Sequence, residues 1–262
     1  MENETMTSRE FTKTEAALLN VHVYFPGNGE QTDDGLLEAL GAILNCVAPL
    51  AEKFGGKIAR VSDAGIAVIF ENGCEKALNC AIGICADGAL QSGNMPDAGV
   101  TIGIHYGTVS MGTLGSGSFR TFIAISTDNS ITRSISRLAV DCRARILITE
   151  TAASRIRDFG NRYTARRLGL IHSRYRNVDM DLYDVFEGDS VDSKYRKRRS
   201  KIFFEKGVDL FLSGNYMQAR SYFIELLKFD RNDGPAKEYV FKCDSCIADP
   251  QAADSCRVLA TI

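Results

Sequence analysis

Between Ala17 and His105 the order of residue patterns leaves few folds open. From Ala17 to Phe25, the apolar residues Leu19, Val21, Val23 and Phe25 alternate with Asn20, His22 and Tyr24, the period of a strand with one buried face. Pro26-Gly27-Asn28-Gly29 ends that strand. A helical stripe runs from about Asp34 through Leu36, Leu37, Leu40, Ile43, Leu44, Val47 and Ala51. Asp33 or Asp34 is its expected cap, Gly55-Gly56 its stop, and Pro49 is expected to bend its last turns. Two β-like runs follow, Lys57 to Val61 and Ile66 to Phe70, and Ser62-Asp63-Ala64-Gly65 between them predicts a hairpin with a four-residue loop. A second helix from about Glu75 to Leu90 and a strand from Val100 to His105 complete the set. Strand, helix, hairpin, helix, strand is the split βαβ, ferredoxin-like order, so the expected fold class is α+β: an antiparallel sheet covered by helices.

Further alternation predicts strands near Thr108 to Met111 and Phe119 to Ile125, separated by a Gly-Ser loop from Gly112 to Ser118. A helix is expected over Asp128 to Val140, a strand over Arg145 to Thr149 and a helix near Ala152 to Phe159. Strands Tyr163 to Ile171 and Asp181 to Phe186 close the domain. The polar stretch from Gly188 to Ser200 reads as a linker, and its basic run Lys194 to Arg199 as a solvated face. Beyond it, Phe204, Val208, Phe211 and Leu212, then Ala219, Phe223, Leu226 and Leu227, recur at helical spacing, with Pro235 leading a third helix. The spacing of Gly214, Tyr216, Ala219 and Phe223 resembles one tetratricopeptide repeat. One such unit cannot bury its own apolar face, so it must pack on the main domain, a second copy or a partner. The expected organisation is therefore a disordered segment 1–15, a main domain 16–187, a linker 188–201, a helical hairpin 202–245 and a flexible tail 246–262.

Composition excludes several function classes. A formal net charge of -2 gives no global field for nucleic acid or an anionic membrane. No uninterrupted apolar run reaches the roughly 20 residues of a membrane span, and the polar start of the chain has no apolar signal core, so the expected location is the cytoplasm. Eight cysteines in that setting read as small hydrophobes rather than staples, and Cys243, Cys246 and Cys256 lack the second knuckle of a zinc site. His22, His105 and His172 are too scattered for a metal set. Gly112 to Ser118 lacks the Gly-Lys-Ser/Thr ending of a P-loop, and Asp128 and Glu150 read as helix-end residues.

The run Gly103-Ile104-His105-Tyr106-Gly107-Thr108-Val109-Ser110-Met111-Gly112-Thr113-Leu114-Gly115-Ser116 resembles a signature of class III adenylate and guanylate cyclases. The likeness continues through Arg145-Ile146-Leu147-Ile148-Thr149-Glu150 and, upstream, through Phe54-Gly55-Gly56 and Ala67-Val68-Ile69-Phe70. It spans about Ala17 to Glu187. The family builds its site at a dimer interface, with two aspartates holding two metal ions on the triphosphate. An Asn and an Arg stabilise the transition state, and a Lys with an Asp or Thr reads the purine. The metal positions correspond here to Gly27 and Ala64, the Asn and Arg positions to Ser130 and Ser134, and the purine-reading pair to Arg60 and Ile123. The loop after the first strand is also about seven residues shorter than the family pattern. Asp63 stands one residue before the metal position and would reach it only through a strand slip that exchanges the faces.

The resemblance thus implies a catalytically silent cyclase homologue, a dimerising signalling or scaffold module paired with itself or another cyclase-type domain. Phe203 to Cys243 is the expected surface for a protein partner. No cofactor is expected. The alternatives are a weakly active cyclase acting on ATP or GTP with Mg²⁺ or Mn²⁺, and a nucleotide sensor without turnover, for which Arg60 and Asp63 are the vestigial contacts.

Overall fold

A computed structural model describes residues 11–25, 32–87, 98–116, 119–249 and 257–262. Strand β1 (Phe11–Tyr24) leads into helix α1 (Asp33–Lys53), the hairpin β2 (Lys57–Ser62) and β3 (Gly65–Phe70), helix α2 (Cys74–Ala86) and strand β4 (Gly99–Ser116). The spatial order β2-β3-β1-β4, with every neighbouring pair antiparallel, is the split βαβ arrangement that the residue patterns predict. Strand β5 (Phe119–Ile125) pairs with the far end of β4. Helix α3 (Asn129–Asp141), strand β6 (Ile146–Thr149), the short helices α4 (Glu150–Ala153) and α5 (Phe159–Arg162), and the hairpin β7 (Ala165–Ser173) and β8 (Val178–Val185) follow. Pairing of β6 with β4 is parallel, so the sheet is mixed rather than purely antiparallel.

Because side chains alternate across a strand, the sheet buries apolar residues on both faces, and among the described residues they form two large cores and a small one of Ala16, Leu18, Ile69, Val109 and Met111. Leu19, Val21, Ile66, Val68, Phe70, Ile102 and Ile104 face α1 and α2 in the first large core. By length and composition α1 could cross a membrane; Ala39, Leu40, Ile43, Val47 and Ala51 lie instead in this core. The second core joins Leu147, Leu168, Ile171 and Leu182 to α3 and to helices α6 (Val191–Leu212), α7 (Tyr216–Phe229) and α8 (Gly234–Ala248). Phe204, Phe211, Phe223 and Tyr239 cluster there, and the Tyr239 hydroxyl donates to the carbonyl of Leu168 at 2.7 Å. The helical unit therefore buries its apolar face on the sheet of its own chain.

Several boundaries differ from the expectation. The segment 1–15 is not disordered over residues 11–15, which extend β1 against Thr108 to Gly112. Strand β4 is continuous through Thr108 and on to Ser116, where a Gly-Ser loop is expected. Thr32, not Asp33 or Asp34, caps α1, its hydroxyl accepting from the amide of Gly35. The hairpin turn has two residues, Asp63 and Ala64, instead of four. A turn splits the expected helix at 152–159 into α4 and α5. The tail 246–262 is not wholly flexible: Leu259 is buried and strand β9 (Ala260–Thr261) adds in parallel to the edge of β7.

The linker expectation for 188–201 is overturned, because most of this segment is the first half of α6. Charge explains the change. Lys197, expected on a solvated face, is buried, with its ammonium 2.9 Å from Asp184 and 2.7 Å from Asp189. Buried Arg166 meets Asp184 at 3.2 Å and Asp233 at 2.5 Å, and its guanidinium lies over the Phe204 ring. Burial holds the Asp184 carboxyl above its ordinary range, opposed by Lys197 and Arg166. This cluster ties β7 and β8 to α6 and to the start of α8, whose cap is Asp233. Removing one member leaves the others buried without compensation. Asp184→Asn is accordingly expected to lower unfolding free energy by about 3–5 kcal/mol, whereas Arg220→Gln, in an exposed pair with Asp244, costs under about 1 kcal/mol. Urea denaturation followed by circular dichroism measures both.

Candidate functional site

Two glycines of β4 decide where α3 lies. A Cβ on Gly103 would stand 2.4 Å from the Thr132 carbonyl oxygen and 2.8 Å from the Ser136 amide. One on Gly107 would stand 2.1 Å from a carboxylate oxygen of Asp128. Without a side chain at Gly103 the helix backbone settles directly on the strand, and without one at Gly107 the Asp128 side chain fits against it. Polar contacts then fix its register. Thr101 donates to the carbonyl of Ser136 at 2.6 Å, and the Asn20 side-chain amide donates to the Ser136 hydroxyl at 2.9 Å.

Asp128 precedes α3, but its carboxylate does not cap the helix. It accepts two bonds of 2.7 Å from Arg176 and one of 3.1 Å from the amide of Thr108, locking the helix start to β4 and to the β7–β8 turn. Burial pushes its pKa up, yet these bonds and the nearby positive charge outweigh burial and hold the carboxyl below its ordinary range. His105 lies on the same strand with Nδ1 at 2.9 Å from Thr149 and 3.1 Å from Thr151, both hydroxyl oxygens. It belongs to the scaffold.

Between the β2–β3 hairpin and the start of α3 lies a cleft of about 130 Å³. Arg60, Ala64 and Ser130, three of the positions singled out in the sequence, line it together. Asn20, Asn129 and Arg133 join them, and sequence reasoning missed all three. Arg133 was legible in principle, since it shares a helical face with Ser130 three residues before it. Ser134 is half-buried outside the lining. Ile123 sits on β5 opposite Gly112, and Asp63 is exposed at the hairpin tip, where its carboxylate accepts from the amide of Ala64 at 2.9 Å. Gly27 lies outside the described residues.

The donors present do not fit a divalent cation. Mg²⁺ and Mn²⁺ take hard oxygen ligands, normally with carboxylates among them. Among the described residues the cleft lining holds no Asp or Glu and two arginines. Cys243 and Cys246 offer no alternative: both are buried, and burial pushes the Cys243 thiol up to about 12, away from the thiolate a metal needs. Cys256 lies outside the described residues.

No family model matches the chain. Over 142 residues it is 22% identical to an adenylate cyclase, terminal-differentiation specific, of Dictyostelium discoideum, a match covering 54% of this chain and 7% of that protein. Among solved structures it resembles a bacterial light-regulated adenylyl cyclase, with a TM-score of 0.58 and 13% identity over 70% of this chain and 55% of the other. The guanylyl cyclase Cya2 superposes with a TM-score of 0.52 and 17% identity, over 66% of this chain and 92% of that one. The chain thus spans a small fraction of the curated relative and about half of the first of these structures. At these identities the likeness establishes the fold: this is an α+β, cyclase-like domain.

His105 supplies a pH test of the scaffold. Burial, helped by Arg176 and opposed by Asp128, lowers its pKa from 6.5 to about 4. The unfolded chain therefore takes up the proton first. This contribution to stability is complete above pH 6.5, declines as pH falls and is gone below about 4, and it amounts to about 3 kcal/mol. Unfolding free energies measured at pH 7 and pH 5 are expected to differ less in His105→Gln than in the wild type. An equal difference in the two proteins would refute the assignment.

Proposed function

We propose that this chain is a catalytically silent cyclase-like module that dimerises with a second cyclase-type domain and passes on a signal. The observation that carries this reading is the cleft lining. Where metal-dependent cyclisation needs a carboxylate, the hairpin turn presents Ala64, and facing it α3 presents Ser130 with Arg133. Cyclisation builds negative charge at phosphorus and on the leaving pyrophosphate, and metal ions and cationic side chains must neutralise it. Each lost stabiliser typically costs about 10²- to 10³-fold in rate. From an ordinary turnover of about 10 per second, two losses leave roughly 10⁻³ to 10⁻⁵ per second, on a scale that is not strictly additive. Both metal positions and both transition-state positions are altered here, and Ser134 does not even line the cleft.

The helical unit supports a role in signalling. Its inner face is committed to the sheet, while Phe203, Met217, Phe229 and Phe241 remain exposed on α6, α7 and α8. In this reading α6–α8 are a tetratricopeptide-like unit that carries the protein partner, and no cofactor takes part.

The purified chain, supplied with ATP or GTP and Mg²⁺ or Mn²⁺, is expected to form no cyclic nucleotide above a protein-free control by mass spectrometry. Product that disappears on Asp63→Asn or Arg60→Gln would mean that displaced residues have rebuilt a working site.

A further inference from the structure

We infer that the cleft between the β2–β3 hairpin and α3 binds a phosphoryl group without a metal ion, held between Arg60 and Arg133. This rests on the reading of the cleft as free of metal chemistry. The two arginines come from different elements, β2 and α3, and line one small cavity. Both residues are exposed, and among the described residues neither has a carboxylate partner. Two like charges at one cavity repel each other until an anion enters, and a guanidinium offers phosphate a planar, two-pronged set of donors. Ser130 adds a hydroxyl to the lining and Asn129 a side-chain amide. Asp63, the acid on the hairpin, stays outside the lining with its carboxylate turned onto its own turn.

Size narrows the ligand. A cavity of about 130 Å³ is well below the roughly 300–1,000 Å³ of sites that enclose a whole small molecule. It holds one phosphate-sized group: a free oxyanion, or the terminal phosphoryl of a nucleotide whose remainder stays outside.

Inorganic phosphate, ATP and adenosine are titrated separately into the full chain by calorimetry, in EDTA at constant ionic strength. Phosphate and ATP are expected to bind and adenosine is not. Arg60→Gln and Arg133→Gln should each weaken binding by about tenfold or more. Arg137→Gln, one turn along α3 and outside the cleft, should leave it unchanged. The two cleft arginines are exposed and unpaired among the described residues, so their variants should keep the wild-type circular dichroism. ATP binding at least about tenfold tighter than phosphate assigns a nucleotide tail, and equal affinities assign a free oxyanion. No binding of either ligand, binding retained in the double variant, or binding that requires added Mg²⁺ would each overturn the inference. Cyclic product in a separate assay with metal would defeat the silent-cleft reading instead, so the two failures are distinguishable.

Discussion

The close approach of α3 to β4 governs the rest of the molecule. It requires two positions without side chains, Gly103 and Gly107, four residues apart on a strand and therefore on the same face. Once the helix backbone rests there, Asn20, Thr101 and Asp128 have fixed partners, and the start of α3 must point at the β2–β3 hairpin. The cleft is the space left between them. A side chain at Gly103 would push against the backbone of α3, which has no rotamer by which to yield, and the cleft would open or the helix would shift.

The second core depends on a different kind of constraint. Helix α6 and the start of α8 are held on the sheet by charges that water no longer reaches. Arg166 and Lys197 share Asp184, while Asp233 and Asp189 complete their shells. Such a cluster contributes little net stability compared with a well-packed apolar one, but a displaced helix would strand its ions. It therefore favours one docking geometry over others. Tyr239 adds a directional bond at the same junction and lies against Gly169, where a Cβ would meet its hydroxyl at 2.1 Å.

Much of this architecture was legible in the sequence because it obeys local periods. Alternation in Ala17 to Phe25 and helical spacing in Phe204 to Leu227 are set by which side of each element is buried, and both elements formed where expected. What escaped was long-range. Nothing near Lys197 announces that Asp184 and Asp189 will bury it, so a basic run read as solvated linker became helix. Residues 11–15 gained strand structure from the length of β4, and Ala260 and Thr261 from the open edge of β7. The cleft was half legible. Ala64, Arg60 and Ser130 followed from register, and Arg133 was within reach from its helical face shared with Ser130, whereas Asn20 on β1 enters only because α3 lies against that strand.

That division bears on how scaffold and chemistry relate. The residues that carry the cyclase likeness most strongly, Gly103, His105 and Gly107, do structural work: they seat a helix, bond Thr149 and admit Asp128. Packing demands them whether or not a reaction follows. Metal ligands carry no comparable burden. A carboxylate at position 64 would sit in a two-residue turn on the cleft wall, where Ala64 satisfies the backbone equally well. Folding thus constrains the signature and leaves the chemistry unconstrained, so a chain can preserve the first while losing the second. Among the described residues the cleft lining holds Arg60 and Arg133 and no Asp or Glu, a charge balance that favours anions over cations in the reading proposed above.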